Sequence, residues 1–182
     1  PDAVVAPRLF LGGLLTSPSS SARVGLTALV PEAERRIQDL HEKVVDGDWL
    51  GQDTREIVIG RDMAEMLGVG LGDKLVFSGQ YGSEEVATRL FRVRGIVRTG
   101  AAAIDGRAAW VHLEAGQALL GGGEVAHMVT LHLADPDASE KTAAAVRAAL
   151  GRPELDVRTW REALPDLVGL LKFTSTSTDA LV

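Results

Sequence analysis

The run Glu56-Ile57-Val58-Ile59-Gly60 is short, almost wholly apolar and closed by glycine, which reads as a buried strand. A helical stretch follows it at once, with Met63, Ala64, Met66 and Leu67 spaced to pack inward. Gly68 ends that helix, and Gly70-Leu71-Gly72-Asp73 turns the chain into a further strand over Lys74–Ser78. Connections this short and mixed lack the steady strand–helix rhythm of a doubly wound parallel sheet, so the predicted class is α+β.

The rest of the chain follows the same grammar. Val4–Leu15 carries one charge, Arg8, and reads as a buried strand with a bend at Gly12-Gly13; Ala22–Val30 reads as a second strand. Pro31, followed by Glu32 and Glu34, opens a helix whose stripe is Ile37, Leu40, Val44 and Val45, ending at Gly47. Trp49–Thr54 reads as a polar connection. Arg89–Val97 alternates, and Phe91, Val93, Gly95 and Val97 make the better core face. A strand over Ala108–Leu113 and a short helix over Glu114–Leu120 follow. The last third predicts a strand over Val125–Leu133, a helix over Pro136–Leu150 with Ala143, Val146 and Leu150 inward, a strand over Leu155–Thr159, and a helix from Trp160.

A chain of 182 residues buries roughly 70% of its unfolded surface, so its core needs no staples. With 46% hydrophobic and 24% charged residues it is a globular sequence rather than a disordered one. The net charge of −6 supplies no cationic field, which excludes nucleic acid as the main partner. Absence of cysteine removes disulfides, thiolate nucleophiles and cysteine zinc sites together. No signal peptide is recognisable, and no apolar run approaches the roughly 20 residues that span a bilayer. The start at Pro1 and the Thr/Ser-rich end after Phe173 predict a segment cut from a longer protein.

The obvious chemical motifs fail on context. Gly68-Val69-Gly70-Leu71-Gly72 looks like a phosphate loop but leads from a helix into a strand, the reverse of the arrangement that holds an anion. His127 and His132 fall on opposite faces of a predicted strand, while His41 and His112 lack a partner at ligand spacing. No G-x-S-x-G elbow occurs, and the acidic pairs Asp46/Asp48 and Glu84/Glu85 read as solvated loops. The chain is predicted not to be an enzyme. The connection Gly79–Thr88 differs in kind: long, polar, and carrying the only tyrosine, Tyr81. It is the place to expect a partner, against the plainer reading of a hairpin that only links two strands.

Glu56-Ile57-Val58-Ile59-Gly60, Ala64, Leu67-Gly68-Val69, Gly72-Asp73-Lys74-Leu75 and Phe91-Arg92-Val93-Arg94-Gly95-Ile96, in that order, resemble the periplasmic core domain of MacB/FtsX-type ABC transporter permeases. Thr99-Gly100, Asp105-Gly106, Val111–Leu120 and Val157–Glu162 extend the likeness, which covers most of residues 23 to 167. Ala6-Pro7-Arg8, Gly13-Leu14-Leu15 and Pro31-Glu32 are similar to the lipoprotein-releasing LolC/LolE branch.

This resemblance implies a periplasmic segment of a cytoplasmic-membrane protein, lying between two transmembrane helices. It implies two small mixed α/β subdomains: a membrane-proximal porter-like one from residues 1–52 and 124–182, and an inserted sabre-like one from residues 53–123. It also implies that the segment holds no cofactor, ATP being bound by a separate ABC ATPase subunit, and that the parent is dimeric in the membrane. In lipoprotein-releasing members a hairpin of the inserted part grips a periplasmic carrier. Ala87–Phe91 resembles its return strand, with Arg89 as the basic contact; Gln80, Tyr81, Glu84 and Glu85 complete the candidate partner-binding set. The loop departs from the pattern in being shorter, in carrying Glu84 and Glu85, and in lacking a proline at its tip, which leaves efflux and mechanical signalling as alternatives to lipoprotein release. A stand-alone binding or sensor module is the competing class.

Overall fold

The computed structural model describes residues 3–81 and 86–163. The chain forms two compact units, Val4–His132 and Pro1–Ala3 with Leu133–Val182.

The first unit holds the strands β1 (Ala3–Thr16), β2 (Ser21–Leu29), β3 (Val44–Gly47), β4 (Glu56–Gly60), β5 (Lys74–Gln80), β6 (Val86–Val97), β7 (Ala108–His112) and most of β8 (Met128–Leu133). Its helices are α1 (Pro31–Arg35), α2 (Arg61–Leu67), α3 (Ala102–Asp105) and α4 (Leu113–Leu119). Six strands pair in a closed circuit: β1 with β2, β2 with β7, β7 with β4, β4 with β6, β6 with β5, and β5 back to β1. The β2–β7 and β4–β6 pairs are parallel and the others antiparallel. Closure satisfies backbone groups that an open sheet would leave at its edges. Strands on both sides of residues 52/53, β1 and β2 with β4 to β7, share this sheet.

Alternation along the strands sends one side chain in two to the principal core, where Leu9, Leu11, Leu15, Leu26, Phe77 and Phe91 meet Met63 and Leu67 from α2 and Leu119 from α4. Strand β4 is buried on both faces, which accounts for its unbroken apolar run. Ile57 and Ile59 face the main core, while Val58 joins a second cluster with Leu29, Trp49, Leu50, Val97 and Trp110. Gly13 lies within β1 without a break in register; a Cβ there would meet the Phe77 ring at 2.6 Å, so this glycine admits the aromatic ring instead of bending the strand.

Several expectations are corrected. The helix opening at Pro31 stops after Arg35, a 3-10 turn spans Asp39–Lys43, and Val44–Gly47 is the strand β3 against β6. The adjacent valines resist a helix and fit a strand, and β6 offers a ladder partner. The polar reading of Trp49–Thr54 misses Trp49 and Leu50, both buried. Met66 is exposed, because α2 turns only Met63, Ala64 and Leu67 inward.

In the second unit, a 3-10 turn over Pro136–Ala138 leads into α5 (Ser139–Leu150), and α6 spans Trp160–Ala163. Ala143 is the buried residue of α5, while Leu150 is exposed at its last position. The strand expected over Leu155–Thr159 is absent. Its backbone is held by side chains instead: Arg147 donates to the Val157 carbonyl at 2.6 Å, and Glu162 accepts from the Thr159 amide at 2.7 Å. Those carboxylate contacts, the Thr159 amide above all, hold Glu162 below the usual range despite the cost of desolvation.

Candidate docking hairpin

Strands β5 and β6 both run further than their alternation suggested, pairing from Lys74 with Arg92 to Gln80 with Val86. The connection therefore shortens to residues 81–85, of which Glu84 and Glu85 lie outside the described residues. The inner face of the hairpin gives Leu75, Phe77 and Phe91 to the core. On the outer face the directly opposed pairs are Val76 with Leu90, Ser78 with Thr88, and Gln80 with Val86. Leu90 is 50% exposed and Val86 59%, and Leu14 of β1, opposite Ser78, is 45% exposed. These apolar side chains face water on paired strands.

The predicted site residues divide between the two faces. Gln80 is exposed at the end of β5. Tyr81 is half-buried: it packs on the main core, its ring lies over Gly79, and its hydroxyl donates to the Gly12 carbonyl at 2.5 Å. Burial raises its phenol above the ordinary range. Tyr81 thus ties the hairpin end to β1. Arg89 is opposite Phe77 in the inward register. Its guanidinium lies 5.8 Å from the Phe91 ring centroid and Nη2 reaches Thr54 Oγ1 at 3.4 Å, while its buried Nε has no hydrogen-bond partner among the described residues. Its stem covers core surface rather than projecting as an outward contact.

No local signal marks the apolar stripe: in the alternation of β6 Leu90 and Ile96 share a face with Arg92 and Arg94, half apolar and half charged. Only the pairing with Val76 and the neighbouring Leu14 makes a patch of it.

Other candidate chemistry is absorbed by structure. Gly68 caps α2 in the left-handed conformation, the Gly70 amide donates to Asp73 Oδ2 at 2.8 Å, and the Gly72 amide to the Val93 carbonyl at 2.8 Å. The glycine loop has its donors turned into the fold. His127 Nδ1 accepts the Phe10 amide at 3.1 Å, and His41 Nδ1 lies 3.2 Å from the Gln38 carbonyl. Among the described residues no three His, Asp or Glu side chains converge to hold a metal ion. Arg55, hydrogen-bonded to Asp53 at 2.8 Å, brings that exposed carboxyl down to about 2. No helix among the described residues is long and apolar enough to cross a membrane.

The chain is similar to known transporter domains along most of its length. It is 26% identical over 162 residues to the lipoprotein-releasing system transmembrane protein LolC of Neisseria meningitidis serogroup B, covering 85% of this chain and 39% of that protein. Among solved structures, it is similar in fold to the periplasmic region of MacB from Actinobacillus actinomycetemcomitans, with a TM-score of 0.65 at 15% identity, covering 91% of this chain and 75% of the other. The extracellular domain of the noncanonic ABC-type transporter YknZ from Gram-positive bacteria gives 0.62 at 16% identity, covering 82% and 77%. The MacB-like periplasmic core domain family matches residues 2–149, and with the fold above this identifies the chain as a member of that family.

Proposed function

We propose that this chain is the extracytoplasmic part of an ABC transporter permease subunit, and that it passes movement driven by a separate ATPase subunit to a docked envelope partner during lipoprotein release. The partner binds the outer face of the β5–β6 hairpin. The observation that carries this reading is the apolar stripe of Val76, Leu90, Val86 and Leu14, exposed on paired strands. Family membership and the LolC relative support the transport context. The domain works as docking surface and lever, with the chemistry of ATP hydrolysis elsewhere and the permease dimeric in the membrane.

The test uses the full-length parent transporter. A photo-crosslinker at Val86 captures the partner, and lipoprotein release is followed in proteoliposomes carrying the ATPase. Val76→Glu with Leu90→Glu is expected to abolish crosslinking and release while the isolated ATPase activity persists, as is replacement of residues 82–85 by Asn-Gly, which preserves Tyr81. Full crosslinking and release in both variants would assign the hairpin a purely structural role.

A further inference from the structure

We infer a second docking surface: an open groove that takes an acidic, partly apolar peptide segment of a partner protein. The groove lies between the β1–β2 turn and the α2–α3 region, has a volume of about 570 Å³, and is lined by Ser20, Ser21, Arg23, Met66 and Arg107 among others. It adjoins the end of β1 where Thr16 pairs with Val76, toward the other end of β5 from the 81–85 connection.

Three features argue for this occupant. The first is charge. In a chain of net charge −6, Arg8, Arg55, Arg61, Arg94, Arg147, Arg158 and Arg161 are each paired with a carboxylate, while Arg35, Arg36 and Arg152 have no ion pair among the described residues but do not line this groove. Arg23 and Arg107, exposed and lining one groove, have no ion pair or hydrogen bond from their side chains among the described residues. Two guanidinium groups without a carboxylate partner in one groove attract an acidic ligand there. The second is the floor. The Gly25 amide donates to the Arg107 carbonyl at 2.8 Å, and beside the lining Met66 the Leu67 carbonyl accepts from Ser17 Oγ at 2.7 Å, so the groove walls are hydrogen-bonded into the fold. The third is shape. The groove is open to solvent and carries the 53% exposed Met66, a flexible apolar side chain suited to a peptide, whereas small ligands are enclosed on most of their surface. Asp62, beside Gly106, sets a limit on how closely a carboxylate can follow that wall.

A random dodecapeptide library displayed on phage is selected against the 182-residue chain, with Arg23→Glu/Arg107→Glu as counter-target, and the enriched peptides are measured by fluorescence anisotropy. The expected peptides combine Asp or Glu with an apolar residue, bind about tenfold more weakly to the double variant, and weaken with added salt. Arg23→Gln/Arg107→Gln, a milder change, is expected to fall between them, and matched thermal melts show that both variants fold. Failure to enrich, peptides without acidic bias, or equal binding to the double variant would overturn the inference. So would displacement of the peptides by millimolar inorganic phosphate with no dependence on their apolar residue, which would make the groove a simple anion site.

Discussion

Removing Arg8 should be among the most damaging single changes in this domain. Glu34 on α1 has a side chain only 1% exposed, and its carboxylate accepts Arg8 Nε at 2.5 Å, Arg8 Nη2 at 2.7 Å and Gln38 Nε2 at 2.6 Å. Arg8→Met keeps an apolar stem but leaves a buried carboxylate with one neutral donor, at a cost of about 3–5 kcal/mol. Against a total stability of about 5–15 kcal/mol this is large, and corresponds to a melting temperature lowered by about 6–20 °C. The double change Arg8→Met/Glu34→Leu removes both charges and should lie within about 1–2 kcal/mol of the parent, because desolvating the pair offsets most of its attraction. Urea unfolding of the parent, both single variants and the double variant, followed by circular dichroism at neutral pH, closes the cycle. A loss below about 1 kcal/mol for Arg8→Met, or a double variant as unstable as the single one, would refute the reasoning. Of the three short segments that resemble the LolC/LolE branch, the one containing Arg8 is thus tied by an ion pair to the helix that Pro31-Glu32 opens.

Asp105 is buried, which opposes its charge, but hydrogen bonds from the Thr99 amide and hydroxyl and the Gly100 amide outweigh this and hold it below the usual carboxylate range. Its contribution is therefore present above about pH 4 and lost as the pH falls through its folded value; Asp105→Asn should flatten that part of the acid limb in urea midpoints measured across the range. Gly116 of α4 lies where a Cβ would run into the Ala28 side chain of β2, so Gly116→Ala should cost about 1–3 kcal/mol by thermal melting despite its better helix propensity. Met63→Ala should cost about 2–5 kcal/mol and Met66→Ala less than about 0.5 kcal/mol in the same assay, although the two stand on one two-turn helix.

The local pattern of this sequence determined much of the fold. Elements came through where short-range chemistry was decisive: β4 from its apolar run, α2 from Gly60 to the left-handed Gly68, the start of α1 from Pro31, and the core face of β6 at Phe91 and Val93, beyond which a register shift against β4 puts Ile96 in the main core and Val97 in the second cluster. The family resemblance lay in the same short segments and agrees with the matched family. Failures came where a distant neighbour outbid the local preference. Val44 and Val45 fit the spacing of a helical stripe, but their β-branching suits a strand and the ladder that β6 offers draws them into β3. Leu155–Thr159 alternates like a strand, yet Arg147 and Glu162 occupy backbone groups that a ladder would have used. For the candidate site, the sequence located the hairpin but not its faces: Arg89 is turned inward by its pairing with Phe77, and the stripe of Val76, Leu90 and Leu14 exists only because two registers bring three strands together. A periodicity records which side of one strand is apolar; what that side meets depends on contacts tens of residues apart, and those the tertiary structure alone decides.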